Sequence, residues 1–500
     1  MDIYNTMPGG VDDYSQVLGG VSDELVKAVI AGSQTGRDYN NVQNTGGSLK
    51  TESLDAMVRL LTSTEKHIVF WKALNKQSIY NTVHEYNQQL DYGNDAGGFN
   101  LEGEAPQFSD PTYRRKSALI KYLGFSGEVT HPAMLVRNAD GINNWAREIQ
   151  NKTMLLMRFI DKQIATANSK MVSTEFDGIF QQHFEAEEVG NSNLDTYFKS
   201  TQVIDARGKV LTDDLAQDAA NSALNTNFGF ADKIIASPNV FTNYVKQFGG
   251  LKRFMVGQGG AIVNATTGQS VKGIETQGLN LEFMSDIFFD RERAIGKNYN
   301  QAATHSKAPA APVADGTTPT NVVNSIATSK FANFTGTYFY AVAARNRYGI
   351  SALTLLKTTA STVANATDAV DLKFAAGAGA YAAESYIIYK TKKNQAAYTD
   401  PNAFYPVFEV SATELSNGYD SATSGVVRDR NLWIPGAQSA LVTVVDPEYM
   451  EYLQLAPIMK MDLAITSPSK RFMVLNYGTP ALYMPTKVIR IVNIGDIQPA

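Results

Sequence analysis

The stretch GINNWAREIQNKTMLLMRFIDKQIATANSKM, residues 141–171, decides how this chain is read. Its stripe positions Ile142, Trp145, Ile149, Thr153, Leu156, Ile160, Ile164, Ala167 and Met171 recur in steps of three and four, which places them on one face of a single rod. At 1.5 Å per residue such a helix runs roughly 50 Å, longer than a compact enzyme domain usually needs. It reads as a structural beam.

Directly before it, residues 85–132 form a polar excursion with no core of its own. Gly93, Gly97, Gly98, Gly103, Pro106 and Pro111 punctuate it, and a strand-like run follows through Tyr113, Ala118, Leu119, Ile120, Tyr122, Leu123 and Phe125. So long a segment without a helix is unusual inside a compact domain, and such segments are functional or ordered by a partner. The reading is an extended hairpin lying on a neighbouring subunit. Further back, residues 51–84 carry two apolar patches, Leu54, Met57, Val58, Leu60 and Leu61, then Ile68, Val69, Phe70, Trp71, Leu74 and Ile79, suited to packing on the beam. Residues 1–50, rich in Gly, Asn, Ser and Asp, read as an arm, with one helical patch over 22–30 started by Asp23 and Glu24.

After the beam the pattern predicts a helix over 176–184, a strand and turn over 203–208, a strand over 233–236, a helix over 239–248 and alternating strand-like residues Ile274, Leu279, Leu281, Phe283 and Met284. This is a mixed α/β region. At Ala302 the composition shifts to Ala, Thr, Pro, Ser and Gly, marking a boundary. Beyond it GTYFYAVAARNRYGIS, residues 336–351, alternates Tyr338, Tyr340, Val342 and Ala344 on one face before a turn over 346–349. With strands over 385–392 and 405–410 and a turn over 417–420, spaced strands without helix argue a β-sandwich ending near Pro435 and Gly436. An ordinary hairpin of the main domain stays open, because alternation marks any half-buried strand. From 440 the α/β character returns, with a strand over 440–445, a short helix over 447–453 and closing strands over 471–476, 481–484 and 487–493. The sandwich thus reads as a passenger inserted into a host, whose excision over 306–437 leaves the host able to fold.

Composition excludes several function classes. The chain has 500 residues, 44% of them hydrophobic and 10% aromatic, enough for two or three cored domains. A net charge of -5 argues against general nucleic-acid or membrane binding. The count of zero cysteines removes disulfides, thiolate zinc sites and a cysteine nucleophile. The first twenty residues lack a signal-peptide pattern, and no apolar run reaches membrane-spanning length. Among catalytic signals, Gly257, Gly259 and Gly260 miss the dinucleotide spacing at Ile262, and His183 with Glu185, Glu187 and Glu188 reads as a solvated face before it reads as a metal site. Asp213 with Asp214, and Asp12 with Asp13, read as helix starts or turns; His67, His84, His131 and His305 are scattered. No enzyme, cofactor or metal site is expected. The densest basic cluster, Tyr113, Arg114, Arg115 and Lys116 with Lys121 beyond it, is the candidate contact with carboxylates of the next subunit, against the alternative of a solvated strand face.

Several runs carry a family resemblance: GGSLKTESLD (46–55), HIVFWKAL (67–74), TVHEYNQQLDYG (82–93), EGEAPQFSDPTYRRKSALIKYLGFSGEVTHP (102–132), the long helix, and RFMVLNYGTPALYMPTKVIRIVNIG (471–495). Together they resemble tailed-bacteriophage major capsid proteins with the Hong Kong 97-type shell fold, those of large phages and the crAss-like group included. The alternating strand and its N-x-x-G-x-S turn (Asn346, Gly349, Ser351) resemble immunoglobulin or fibronectin-III-like modules. The first resemblance implies an α+β capsid fold with these parts: an arm (1–50), a helical segment on the peripheral domain (51–84), the extended loop (85–132), spine helix and peripheral domain (133–226), axial domain (227–302), the inserted Ig-like sandwich (303–436), and a closing axial and peripheral part (437–500). It implies self-assembly as pentamers and hexamers into an icosahedral shell around double-stranded DNA, with portal and decoration proteins as partners and no membrane. It also implies assembly in the host bacterial cytoplasm and residence in the virion capsid. A cellular nanocompartment shell or another phage structural protein shares the assembly logic. A carbohydrate-active enzyme with a fibronectin-like module is the remaining alternative.

Overall fold

The structure is a computed structural model that describes residues 61–94, 99–105, 108–136, 143–247, 255–256, 262–264, 271–276, 279–289, 302–314, 320–323, 326–395, 398–465 and 467–495. The expected arm, the apolar patch over 54–60, the glycine loop at 257–260 and the pair Asp12 and Asp13 lie outside these residues. The chain divides into two units. In the first, the helix His131–Leu135 is tied to the following segment by Asn144 Nδ2, which donates to Ala133 O at 2.6 Å.

The second unit is built on two sheets. A four-stranded sheet runs in the order Lys76–Ser78, Met450–Asp462, Ser469–Leu482, Lys121–Thr130. Its two long central strands pair antiparallel from Met450↔Leu482 to Asp462↔Phe472. Here the sequence reading needs two corrections. Residues 450–453 continue this strand instead of forming a helix, and 471–476 and 481–482 belong to one strand, because the long ladder and the burial of Met450, Tyr452 and Leu453 override local propensity. Residues 121–130, read as part of the loop, are also a full member of this sheet.

The spine helix spans Asn144–Ile164, about 32 Å at 1.5 Å per residue and not the 50 Å expected. Leu156, Ile160 and Ile164 are fully buried, and Phe159 meets Phe125 of the four-stranded sheet edge-on at 5.5 Å. The helix stops because residues 165–178 fold back on themselves. Thr166 N and Ala167 N both donate to Gln163 O, Ser169 N donates to the Asp177 carboxylate, and Asn168 Oδ1 accepts from Lys170 N. Such short polar side chains offer the backbone an alternative to helix. Gly178 closes the turn, and a Cβ there would sit 2.8 Å from Ala165 backbone atoms.

A six-stranded sheet runs in the order Val203–Asp205, Ile489–Ile494, Gln438–Thr443, Lys233–Ala236, Leu279–Ser285, Gly273–Thr276. The helices Asp213–Asn221 and Pro238–Gln247 cover it with Ala216, Ala219, Ala220, Val240, Phe241 and Tyr244. Thr212 caps the first of these through Leu215 N, with Asp213 and Asp214 in the first turn, as the sequence indicates. Between spine and sheet, two buried carboxylates hold the turn at 69–71. Asp161 accepts from Val69 N (3.3 Å) and Trp71 N (2.7 Å), and Asp286 from Phe70 N (3.3 Å). Burial raises both carboxyls above the ordinary range, and the Asp161 charge raises Asp286 further.

Residues 303–436 contain two facing sheets. One joins Val313–Ala314, Ala369–Ala375, Thr320–Val323 and Val426–Asp429; the other joins Gly349–Ile350, Tyr340–Asn346, Ser385–Thr391 and Phe404–Ser411. Their shared core includes Tyr338, Tyr340, Val342 and Ala344, the alternating set seen in the sequence, against Leu372, Ile388 and Val427. The turn over 346–349 is held by Asn346 Oδ1, which accepts from Tyr348 N (2.9 Å) and Gly349 N (3.1 Å), while Ser351 Oγ accepts from Ala344 N. A short helix, Ala412–Asn417, not expected from the sequence, is started by a Ser411 and Glu414 capping box.

Residues 303–436 share a core with the six-stranded-sheet region. Leu432 packs with Phe198, Val203 and Val492, and Trp433 lies against this cluster. Asn493, at φ 57 and buried, donates to Asp205 Oδ1 and to Leu432 O, both at 2.8 Å, and its Oδ1 accepts from Ile434 N at 2.9 Å. Arg207 donates to Asn431 O and Lys330 O, Arg430 pairs with Asp195, and Arg345 pairs with both Glu175 and Glu409. No helix among the described residues is long and apolar enough to cross a membrane.

Candidate assembly interface

The hairpin pairs Val83–Gln89 with Tyr113–Leu119, in register from Val83↔Leu119 to Gln89↔Tyr113. Alternation divides it into two faces. His84, Tyr86, Gln88, Arg114, Lys116 and Ala118 turn inward, half-buried; Val83, Glu85, Asn87, Gln89, Tyr113, Arg115, Ser117 and Leu119 turn outward.

The inner face is fastened to its own chain. Tyr86 meets Tyr483 edge-on at 4.8 Å and donates to Leu482 O; Gln88 Nε2 donates to Tyr483 O at 2.5 Å. Burial pushes the Tyr86 hydroxyl up to about 12. Arg114 forks between Glu187 and Glu188 and also donates to Gln88 Oε1 at 3.0 Å. Two charge-assisted bonds from one planar guanidinium fix the loop end of the paired strands. The carboxylates expected for Arg114 on a neighbour are therefore supplied within the same chain, by two residues the sequence reading had placed in a metal candidate. Lys121 Nζ likewise finds an in-chain acceptor, Ser173 O at 2.7 Å. Tyr113 and Arg115 stay outward. The Arg115 to Glu85 pair, at 3.3 Å with both side chains more than half exposed, contributes little.

Beyond the paired strands the loop is organised by backbone bonds. Leu90 N donates to Thr112 O, and the Asp91 carboxylate accepts from Thr112 N and Gly93 N. Those bonds, that to Thr112 foremost, hold the Asp91 carboxyl below its ordinary range. The loop then presents Tyr92 (93% exposed), Phe99 (103%), Leu101 (79%) and Phe108 (103%) to solvent. Each is worth about 1.5–3 kcal/mol when buried, so together they form a large unrealised source of binding energy. Sequence reasoning named the basic strand and passed over these four, though the signal was present. They are the only large apolar residues in a Gly-rich run over 92–108.

The described residues of the metal candidate are engaged elsewhere in the chain. His183 is not on a solvated face: it is fully buried, its Nδ1 3.2 Å from Tyr197 OH and Nε2 3.0 Å from Val488 O. Burial lowers its pKa to about 3, so the ring is neutral. Glu185 pairs with Lys170, and Glu187 and Glu188 with Arg114. Among the described residues no three His, Asp or Glu side chains form a group able to hold a metal ion. A cleft of about 710 Å³ lies where the insertion meets the host, but its floor is occupied by Arg490, stacked on Phe180 at 3.9 Å and bonded to Tyr197 OH.

No family model matches the chain. Curated relatives do. The major capsid proteins of Staphylococcus phage S25-3 and Staphylococcus phage K are each 24% identical to it over 491 residues, covering 95% of this chain and 96% of theirs. Among solved structures, the capsid of Myoviridae phage XM1 aligns over 92% of this chain and 99% of its own, at 7% identity and a TM-score of 0.38. The holo-SrpI encapsulin complex from Synechococcus elongatus aligns over 93% and 99%, at 9% identity and a TM-score of 0.39. The likeness is carried by the sequence relatives, which match over 95% of this chain.

Proposed function

We propose, from the premise that this chain belongs to the major capsid proteins of tailed bacteriophages, that its copies close an icosahedral shell in which each hairpin tip is buried on the next subunit. One observation carries the reading: Tyr92, Phe99, Leu101 and Phe108 project from an ordered ribbon whose inner face is already committed to its own chain. None of the described residues shelters them. An identical companion does so at every position of a closed lattice, since point-group symmetry repeats one contact. Tyr113 and Arg115 flank that contact on the outward face.

In this reading the four-stranded sheet and spine helix form the peripheral layer, the six-stranded sheet the axial domain, and residues 303–436 an Ig-like module on the shell's exterior. Portal and decoration proteins complete the particle, which is assembled in the host cytoplasm. A net charge of -5 suits a wall that encloses DNA without adhering to it, because phosphate binding depends on clustered Lys and Arg. The test is deletion of residues 95–110, followed by sedimentation and negative-stain microscopy. The expected product is a soluble subunit that forms no shells; normal shells from that variant would end the proposal.

A further inference from the structure

Lys390 is the penultimate residue of the strand Ser385–Thr391, with its side chain fully excluded from solvent. Its Nζ lies 2.8 Å from Asp429 Oδ2 and 2.9 Å from Asn431 Oδ1. The rings of Phe331 and Tyr338, each centred 4.4 Å away, and of Tyr340 at 5.6 Å wall the group in. The partners are held as firmly. Asp429 Oδ2 also accepts from Tyr340 OH at 2.8 Å, and Asp429 Oδ1 accepts from Asn431 N at 2.7 Å. The Asn431 carboxamide is oriented by Nδ2 donating to Lys330 O at 3.2 Å, on a backbone at φ 58.

A buried ion pair is weak evidence for stability, since burying two charges costs about as much as their attraction returns. This constellation contains more than a pair. An amine, the carbonyl of a carboxamide and a carboxylate bonded to the amine meet in an apolar enclosure, the arrangement that nucleophilic acyl transfer requires. We propose that Lys390 and Asn431 become joined by a self-catalysed amide bond, with Asp429 as the proton carrier.

The step balances without any further reactant. Asp429 takes a proton from the Lys390 ammonium, a transfer favoured by burial, which lowers the lysine's affinity for its proton. The freed lone pair on Nζ attacks Asn431 Cγ and drives the carbonyl π pair onto Oδ1. Asp429 then delivers its proton to Nδ2 and receives another from Nζ. The Oδ1 pair re-forms the carbonyl, the Cγ–Nδ2 bond breaks and ammonia leaves, carrying away the last proton as ammonium. The reacting groups are held in place before reaction, which removes much of the entropic barrier.

The bond would link a strand of one sheet to the residue just past a strand of the other, beside the point where Arg207 of the host grips Asn431 O at 3.1 Å. In a chain with zero cysteines it supplies the covalent cross-brace that a disulfide supplies elsewhere.

The decisive measurement is the intact mass of the purified full chain under denaturing conditions, with peptide mapping. The expected mass is lower than the sequence mass by one ammonia, and the digest yields a branched peptide joining the segments that contain Lys390 and Asn431. Lys390→Arg, Asn431→Ala and Asp429→Ala each give the full sequence mass, less only the substitution, with complete loss of the branched peptide. A wild-type mass equal to the sequence mass, with both segments recovered as linear peptides, overturns the proposal. That result is read on the wild type, whether or not the variants fold.

Discussion

Replacing Asn493 by alanine tests how much one side chain contributes to holding residues 432–434 against the six-stranded sheet. The carboxamide makes three bonds, to Asp205 Oδ1, Leu432 O and Ile434 N, in a region where Asn493 is 2% exposed. Asp205 keeps Lys330 and Arg207 as partners, but Leu432 O and Ile434 N lose theirs in the interior. Each orphaned backbone group costs about 1–3 kcal/mol, giving a loss of roughly 2–6 kcal/mol. Alanine at φ 57 adds strain of about 1 kcal/mol that glycine avoids. Urea unfolding of Asn493→Ala and Asn493→Gly, followed by Trp433 fluorescence, separates the two contributions. Limited proteolysis should open the segment near 434 in both. A loss below about 1 kcal/mol for alanine, or glycine costing more than alanine, would refute the reasoning.

Three further outcomes follow from the same physics. The Asp161 and Asp286 carboxyls are raised in the folded chain, so the stability they contribute is complete below about pH 4 and is lost as pH climbs through their folded values; Lys72 and Lys76, nearby, moderate the loss. Asp286→Asn should flatten the melting-temperature profile above that pH, and a profile parallel to wild type would contradict the shared burial. Arg114→Ala should cost about 1–3 kcal/mol and speed hydrogen exchange across both hairpin strands, whereas Arg115→Ala should change stability by less than about 0.5 kcal/mol; equal effects would remove the inner and outer distinction. Excising residues 306–437 should leave the remainder aggregating, because Phe198 and Val492 lose the cover of Leu432 and Trp433; a soluble, cooperatively melting product would support the passenger reading.

The parts legible in the sequence were those written in local periodicity and turn chemistry. The spine's buried positions Leu156, Ile160 and Ile164, the helix start at Asp213, the alternating face of Tyr338 to Ala344 and the Asn346 turn each depend on neighbours a few residues away. What escaped was decided by distant partners. The helix stops at Ile164 because of bonds to Asp177 and Gly178, and 450–453 are strand because 469–482 lies beside them. Arg114 turns to Glu187 and Glu188 across more than seventy residues, a pairing that no spacing rule discloses. His183 sits in a Glu-rich stretch that looks solvated, yet Val488, three hundred residues on, closes over it.

In the proposed shell, the bare side chains of Tyr92, Phe99, Leu101 and Phe108 also set how association responds to dilution. A molecule in a closed lattice both lends such a loop and receives one, so extracting it severs two seals at once, while the first molecules to meet make only one. Growth therefore begins reluctantly, above a threshold of protomer supply, and finished particles persist well below that threshold.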